Sequence, residues 1–198
     1  MLKLLNLIGL SLSWTMFQAC VQTAFQLPKT SSSGQMETSN KKAVFASGCF
    51  WGTEFYMKRI DGVLETTVGY TGGHVERPTY KEVCTGTTGH YEAIEIEYDS
   101  SKVNFETLAR MFFETHDPTQ ANGQGPDIGL QYRSAIFVSS EEEAQISKQL
   151  ISILEGKGLK IATAILPISV FWPAEDYHQD YYDTKGGRPY CHKYTQRF

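Results

Sequence analysis

Ala43-Val-Phe-Ala-Ser-Gly-Cys49-Phe-Trp-Gly-Thr-Glu-Phe-Tyr56 is the stretch from which the fold is read. Its first residues form an apolar run of buried-strand length, and Ser47-Gly48 breaks that run. Phe55 and Tyr56, ahead of Ile60, then read as the start of a helix. Cys49 falls at the strand-to-helix junction, where free backbone N–H groups and the positive end of a helix favour a thiolate. That position predicts a lowered pKa and a usable nucleophile. The competing reading is a buried core thiol beside Phe50 and Trp51. Gly48 and Gly52, bracketing the three residues, weigh against it, because glycine is unfavourable in a helix and is kept where backbone turns or comes close to something.

Further along, Leu64–Tyr70 is β-rich and ends in the turn Thr71-Gly-Gly-His74. Tyr91–Tyr98 alternates with period two, which places Glu92 on the face of Ile94 and Ile96, expected to be the buried one. Asn104–His116 reads as a helix capped by Asn104, with Phe105, Leu108, Ala109, Phe112 and Phe113 in one apolar stripe. Ser140-Glu-Glu-Glu143 is a capping-box sequence that starts a second helix toward Leu154. Between the two lies a Gly-rich polar loop from His116 to Gly129, of a length that is usually functional or disordered. Tyr132–Val138 and Ile161–Leu166 read as strands. Pro173 is expected at the start of a helix over Ala174–Tyr182. Helices interspersed with strands predict an α/β fold, a two-layer sandwich with one mixed β-sheet.

The 198 residues suffice for one core plus terminal extensions. A formal charge of −4 and scattered basic residues predict no nucleic-acid partner. Residues 1–20 carry one early lysine, an apolar run from Leu4 to Phe17 and Ala19-Cys20. They are expected to be an export signal, with Cys20 a lipidation site of a periplasmic or membrane-anchored protein and a cytoplasmic location the alternative. Residues 21–42 read as a flexible tether. The catalytic domain is then 43–198, expected to be a monomer. No two of the four cysteines, Cys20, Cys49, Cys84 and Cys191, have zinc-module spacing. Cys84 reads as a buried neighbour of its loop. Cys191 follows Gly186-Gly187-Arg188-Pro189-Tyr190, a tail expected to be mobile, and is either incidental or brought to a distant site.

Seven separated motifs carry a resemblance: Gly48-Cys-Phe-Trp-Gly52, Gly69-Tyr-Thr-Gly-Gly73, Pro78-Thr-Tyr-Lys-Glu-Val-Cys84, Thr88-Gly-His-Tyr-Glu92, His116-Asp-Pro-Thr119, Gln131-Tyr-Arg-Ser134 and Ala174-Glu-Asp-Tyr-His178-Gln179. In this order, from Lys42 to about Tyr194, they are similar to the A-type peptide methionine sulfoxide reductases. The resemblance implies a ferredoxin-like core and reduction of the S epimer of methionine sulfoxide, free or in proteins. It implies no bound cofactor, and electrons from thioredoxin or, after export, from a periplasmic thioredoxin-like reductant. It implies Cys49 as nucleophile, Glu92 as proton donor and Cys191 as the thiol that forms a disulfide with Cys49. Tyr80 and Tyr132 would hold the sulfoxide oxygen, Phe50 and Trp51 its methyl group, with Asp127 and His178 positioning substrate, acid or water.

The chemistry asks for such residues independently. A sulfoxide oxygen leaves poorly unless it is protonated, so the site needs an activated thiol and an acid that keeps its proton near neutrality. The chain departs from the family pattern at Tyr91, at Gly123, Pro126 and Leu130 in the long loop, and at Pro189-Tyr190-Cys191-His192, where Gly-Tyr-Cys-Gly is common. From the residues alone, three other readings stay open: a cysteine acyl transferase with His178 as base, a thiol peroxidase, and a non-catalytic peptide-binding module.

Overall fold

The computed structural model describes residues 39–198. The expected export signal and all but the last residues of the expected tether lie outside them. In chain order the elements are β1 (Asn40–Ser47), α1 (Phe50–Met57), β2 (Val63–Thr71), α2 (Tyr80–Val83), β3 (Tyr91–Asp99), α3 (Phe105–Thr115), β4 (Gly123–Gln124), β5 (Asp127–Ile128), β6 (Ser134–Val138), α4 (Glu141–Gly156), β7 (Ala164–Pro167), β8 (Trp172–Pro173) and α5 (Tyr181–Lys185). The main sheet runs β7-β6-β1-β3-β2-β8, and β4 pairs with β5 as a separate ribbon. Within it, β1-α1-β2-β3-α3-β6 lie in the spatial order β6-β1-β3-β2 with every pairing antiparallel. That is a ferredoxin-like βαββαβ core. β7 adds in parallel to β6 and makes the sheet mixed.

One face of the sheet buries Phe45, Ile94, Ile96 and Ile136 against Leu108, Phe112, Leu150 and Leu154 of α3 and α4. The expected α3 stripe is buried throughout, and Asn104 Oδ1 accepts the Thr107 N–H at 2.9 Å, as a cap should. Ser140 caps α4 by accepting from the Glu143 N–H at 3.2 Å. The Glu143 carboxylate reaches one residue further back, to the Ser139 N–H at 2.7 Å. Phe112 is fully buried, with its ring centroid 5.3 Å from Phe45 and 4.9 Å from Phe113. Phe112→Ala is expected to lower unfolding free energy by about 3–5 kcal/mol, seen as a lower urea midpoint at unchanged slope.

Four boundaries differ from expectation. β1 starts at Asn40 rather than Ala43, because Lys42 Nζ reaches Glu95 at 2.6 Å and Asn40 donates to Glu97 at 2.8 Å, so polar residues extend the ladder. β6 starts at Ser134 because Leu130–Tyr132 coil as a 3₁₀ turn, and β7 begins only at Ala164. Pro173 does not open a helix: it pairs with Gly69 on the edge strand β8, where a missing N–H costs no ladder bond. After it come a 3₁₀ turn at Asp176–His178, Asp180 at φ +52° and the five-residue α5.

Candidate active site

Because β1 and β3 are antiparallel, the end of β1 lies beside the start of β3, and this edge gathers the chemistry. Cys49 is the N-cap of α1, its carbonyl accepting from the Gly52 N–H at 3.1 Å. Gly48 has φ +94°, and a Cβ there would stand 2.3 Å from the Gln124 Cβ, so the turn requires glycine. Cys49 is 6% exposed and Cys191 7%, and both thiols are free. Their sulfurs and a carboxylate oxygen of Asp127 lie within 4.8 Å of one another. Contact with the Cys191 thiol and then burial push the Cys49 thiol up, against a weaker pull from the Trp51 N–H. The lowered pKa expected at this junction is therefore absent while Cys191 covers Cys49: a neighbouring thiol and desolvation outweigh a helix N-terminus.

Glu92 is 1% exposed on the sheet face read from the alternation, opposite Tyr70 of β2. Burial, followed by the charge of Cys49, pushes its carboxyl well above the usual carboxylate range, although the Phe50 N–H donates to Oε2 at 3.1 Å. Oε1 is buried with no partner among the described residues. A protonated acid with one unused oxygen is poised to meet an incoming oxygen. Burial first and the charge of Glu92 second push the Tyr132 phenol up to about 12 and the Tyr80 phenol higher. Both remain O–H donors at neutral pH.

Phe50, Trp51, Tyr80 and His178 form an aromatic wall, with the His178 ring 5.0 Å from Phe50 and 4.5 Å from Tyr80. Trp51 Nε1–H donates to His178 Nδ1 at 3.1 Å, and Trp51 stacks on Tyr181 at 3.6 Å. This bond orients the indole and occupies the Nδ1 lone pair of His178, while Nε2 is buried without a partner among the described residues, and no hydrogen bond there links His178 to Cys49 as an acyl-transferase base would need. His178 itself is 1% exposed in its 3₁₀ turn. Glu175 supports the same wall, accepting from Tyr70 Oη and from the Tyr80 N–H, each at 2.9 Å.

The tail is docked over the site. Lys193 and Thr195 N–H groups donate to the Thr115 and Glu114 carbonyls, and Arg197 Nε donates to the Phe113 carbonyl at 2.8 Å. Those are carbonyls that the end of α3 leaves unpaired. Upstream, Gln124 Nε2 donates to the Cys191 carbonyl at 3.2 Å, and Tyr190 Oη donates to both oxygens of Asp127 at 3.0 and 3.1 Å. Cys191 is thus a buried neighbour of Cys49 rather than a distant mobile thiol, and Asp127 holds the tail. Cys84 is exposed, not buried, because the four-residue α2 turns only Val83 inward. Sequence reasoning missed Tyr181, Tyr190, Glu175 and His192. Gly52 was the available signal for the last: a Cβ there would stand 2.2 Å from His192 Nδ1.

A cavity of about 680 Å³ lies between Lys41, Tyr98, Phe105 and Ser140, at the opposite end of β1 from Cys49. Its lining offers no redox group. Two facing thiols, a protonated buried carboxyl and two phenols on a ferredoxin-like core define a thiol oxidoreductase. Comparison sharpens that class. The sequence profile described as "Peptide methionine sulfoxide reductase" matches residues 41–198. A peptide methionine sulfoxide reductase MsrA of Saccharolobus solfataricus is 47% identical over 150 residues, 75% of this chain and 85% of that protein. Mxr1 from Saccharomyces cerevisiae in reduced form superposes with TM-score 0.72 at 36% identity, over 80% of this chain and 93% of that one. The Mxr1 chain from its complex with Trx2 gives TM-score 0.51 at 28% identity, over 78% and 89%. The chain belongs to the peptide methionine sulfoxide reductase family and is an enzyme of its A type.

Proposed function

We propose that the chain reduces the S epimer of methionine sulfoxide, free or in proteins, with Cys49 as nucleophile, Glu92 as acid and Cys191 as resolving thiol. The observation that carries these roles is the Cys49 and Cys191 pair beside a buried carboxyl with one unpartnered oxygen. The sulfoxide enters with its methyl against Trp51 and its oxygen toward Glu92, Tyr80 and Tyr132. Its arrival displaces the Cys191 sulfur, pivoting at Gly186-Gly187, which both sit at positive φ. That removes the first cause holding the Cys49 proton. The Cys49 sulfur attacks the sulfoxide sulfur, the Glu92 proton goes to the sulfoxide oxygen, the Cys49 thiol proton replaces it on Glu92, and the hydroxyl passes to the Cys49 sulfur as the bond to methionine sulfur breaks. Methionine is released and Cys49 becomes a sulfenic acid.

Ile128, Leu130, Tyr177 and Tyr190 are exposed apolar or aromatic side chains on the segments that bear Asp127, Tyr132, His178 and Cys191. Such a rim suits methionine sulfoxide within an unfolded peptide. Condensation of the sulfenic acid with Cys191 releases water and forms a disulfide, which a thioredoxin-type thiolate reduces by exchange. The complex of the related Mxr1 with Trx2 supports that donor class. The apolar run from Leu4 to Phe17 and Ala19-Cys20 favour an exported, lipid-anchored enzyme supplied by an extracytoplasmic thioredoxin-like protein. Mass determination of the mature N-terminus tests this, and a cytoplasmic protein starting at Met1 would refute it.

Thioredoxin-coupled NADPH oxidation with each sulfoxide epimer tests the activity. Turnover of the S epimer is expected; turnover of hydrogen peroxide alone would favour a peroxidase. Cys191→Ser is expected to give about one methionine per enzyme and then stall with thioredoxin. Peptide mapping after substrate, without reductant, should recover a Cys49–Cys191 linkage. Full thioredoxin-driven turnover in Cys191→Ser would overturn the resolving role.

A further inference from the structure

His192 stands where the family commonly has glycine, and nothing in the steps above employs it. It is 4% exposed, and its Nδ1 lies 3.2 Å from the Cys191 sulfur. The ring's other nitrogen, Nε2, faces Ser47 Oγ at 3.5 Å and Thr53 Oγ1 at 3.4 Å, and those two hydroxyls lie 2.7 Å apart. In the tautomer that carries its proton on Nε2, these hydroxyl oxygens accept a hydrogen bond from Nε2–H and the Nδ1 lone pair points at the Cys191 thiol. Gly52, the second glycine of the pentapeptide, is what lets the ring lie against α1. A thiol within reach of an imidazole that is itself oriented by further groups is the arrangement by which cysteines are activated.

We infer that His192 is a catalytic base for the resolving step, taking the Cys191 proton as that sulfur attacks the Cys49 sulfenic acid. The inference rests on the reading of Cys191 as the resolving thiol. The Cys191 S–H bond breaks and its proton moves to Nδ1. The Cys191 sulfur forms a bond to the Cys49 sulfur, and the Cys49 S–O bond breaks with its electron pair. The imidazolium returns the proton to the departing hydroxide, giving water. Cys191 is oxidised and the Cys49 sulfur is reduced from sulfenic acid to disulfide, so no outside oxidant or reductant enters. Burial pushes His192 down to about 4, so the imidazole is neutral at rest; the same burial weakens it as a base, and the proton therefore moves as the S–S bond forms rather than before it. The titratable groups facing it are Cys191 on its own segment, Asp127 of β5 and the buried His116 at the end of α3. His116 is pushed down to about 3 by burial, so it stays neutral as well. Asp127 supplies the negative charge that stabilises the transient imidazolium.

The test is a quenched-flow first turnover of the full chain with methionine sulfoxide and no reductant, comparing wild type with His192→Asn and His192→Gln. Disulfide formation is read as loss of dimedone-reactive sulfenic acid, relative to methionine release in the same experiment. In both variants it should slow by roughly 10- to 100-fold at pH 7, at or below the low end of the usual gain from a positioned base. The pH profile separates a base from a scaffold. Wild type should be flat between about pH 6 and 8, whereas the variants should accelerate about tenfold per pH unit, because hydroxide must then replace the imidazole as acceptor of the thiol proton. A wild-type rate and flat profile in both variants would overturn the inference. So would slowing by one constant factor at every pH, which marks a packing role only. Recovery of a disulfide that lacks Cys191 in the wild-type peptide map would instead overturn the resolving-thiol reading itself.

Discussion

Cys49→Ser is expected to abolish methionine formation even in a single turnover with excess small thiol, a loss on the order of 10⁴-fold or more, the scale seen when a covalent nucleophile is removed. The reaction requires a sulfur that can accept oxygen and be reduced again, and a serine hydroxyl at the N-cap of α1 can do neither. The variant keeps the fold, since Cys49 makes no side-chain cap hydrogen bond that serine would lose. Cys84→Ser, altering an exposed thiol at the end of α2, should retain most of the activity. Cys191→Ser should retain the first turnover. This pattern separates the nucleophile from the resolving thiol and from a thiol outside the reaction. Appreciable single turnover in Cys49→Ser would sink the assignment, and acid-quench counting of methionine per enzyme reads it directly.

The junction was legible because every part of it is local. A four-residue apolar run, a Ser-Gly break and two bracketing glycines specify a strand, a turn and a helix start with no help from distant residues. The burial of Glu92 was legible for the same reason, through a period-two phase shared with Ile94 and Ile96. What stayed hidden depends on contacts between residues far apart in the chain. Nothing local to residues 191–198 tells that their N–H groups and Arg197 satisfy the open end of α3, so the tail reads as mobile when it is docked. The raised Cys49 thiol follows from that docking, because the first cause is Cys191, 142 positions away in sequence. Pro173 misled in another way: proline suits both a helix start and an edge strand, and only the pairing with Gly69 decides.

Glu92→Gln is expected to slow the sulfoxide step by about 10²- to 10⁴-fold, the range a positioned general acid supplies. Glutamine keeps the shape and can still accept from the Phe50 N–H, so the effect reports the lost proton rather than lost packing. The pH dependence follows from the raised pKa. Glu92 acts while protonated, so the wild-type rate should fall as pH rises through its folded-state pKa, and the variant should lack that limb. Stability gives a second readout with a definite sign. Near neutral pH the folded chain holds a proton on Glu92 that an unfolded carboxyl, with a pKa of about 4.3, has released. Wild-type stability should therefore decline as pH rises from the unfolded toward the folded pKa, and the variant should decline less. Glu54, pushed up to about 7 by burial and by Asp180, contributes the same slope to both proteins and cancels in the difference. The carboxyl that costs the fold stability is the one proposed to donate the proton, so the variant should be slower and, at pH 7, more stable. An unchanged rate with an unchanged alkaline limb would remove Glu92 from the proton transfer.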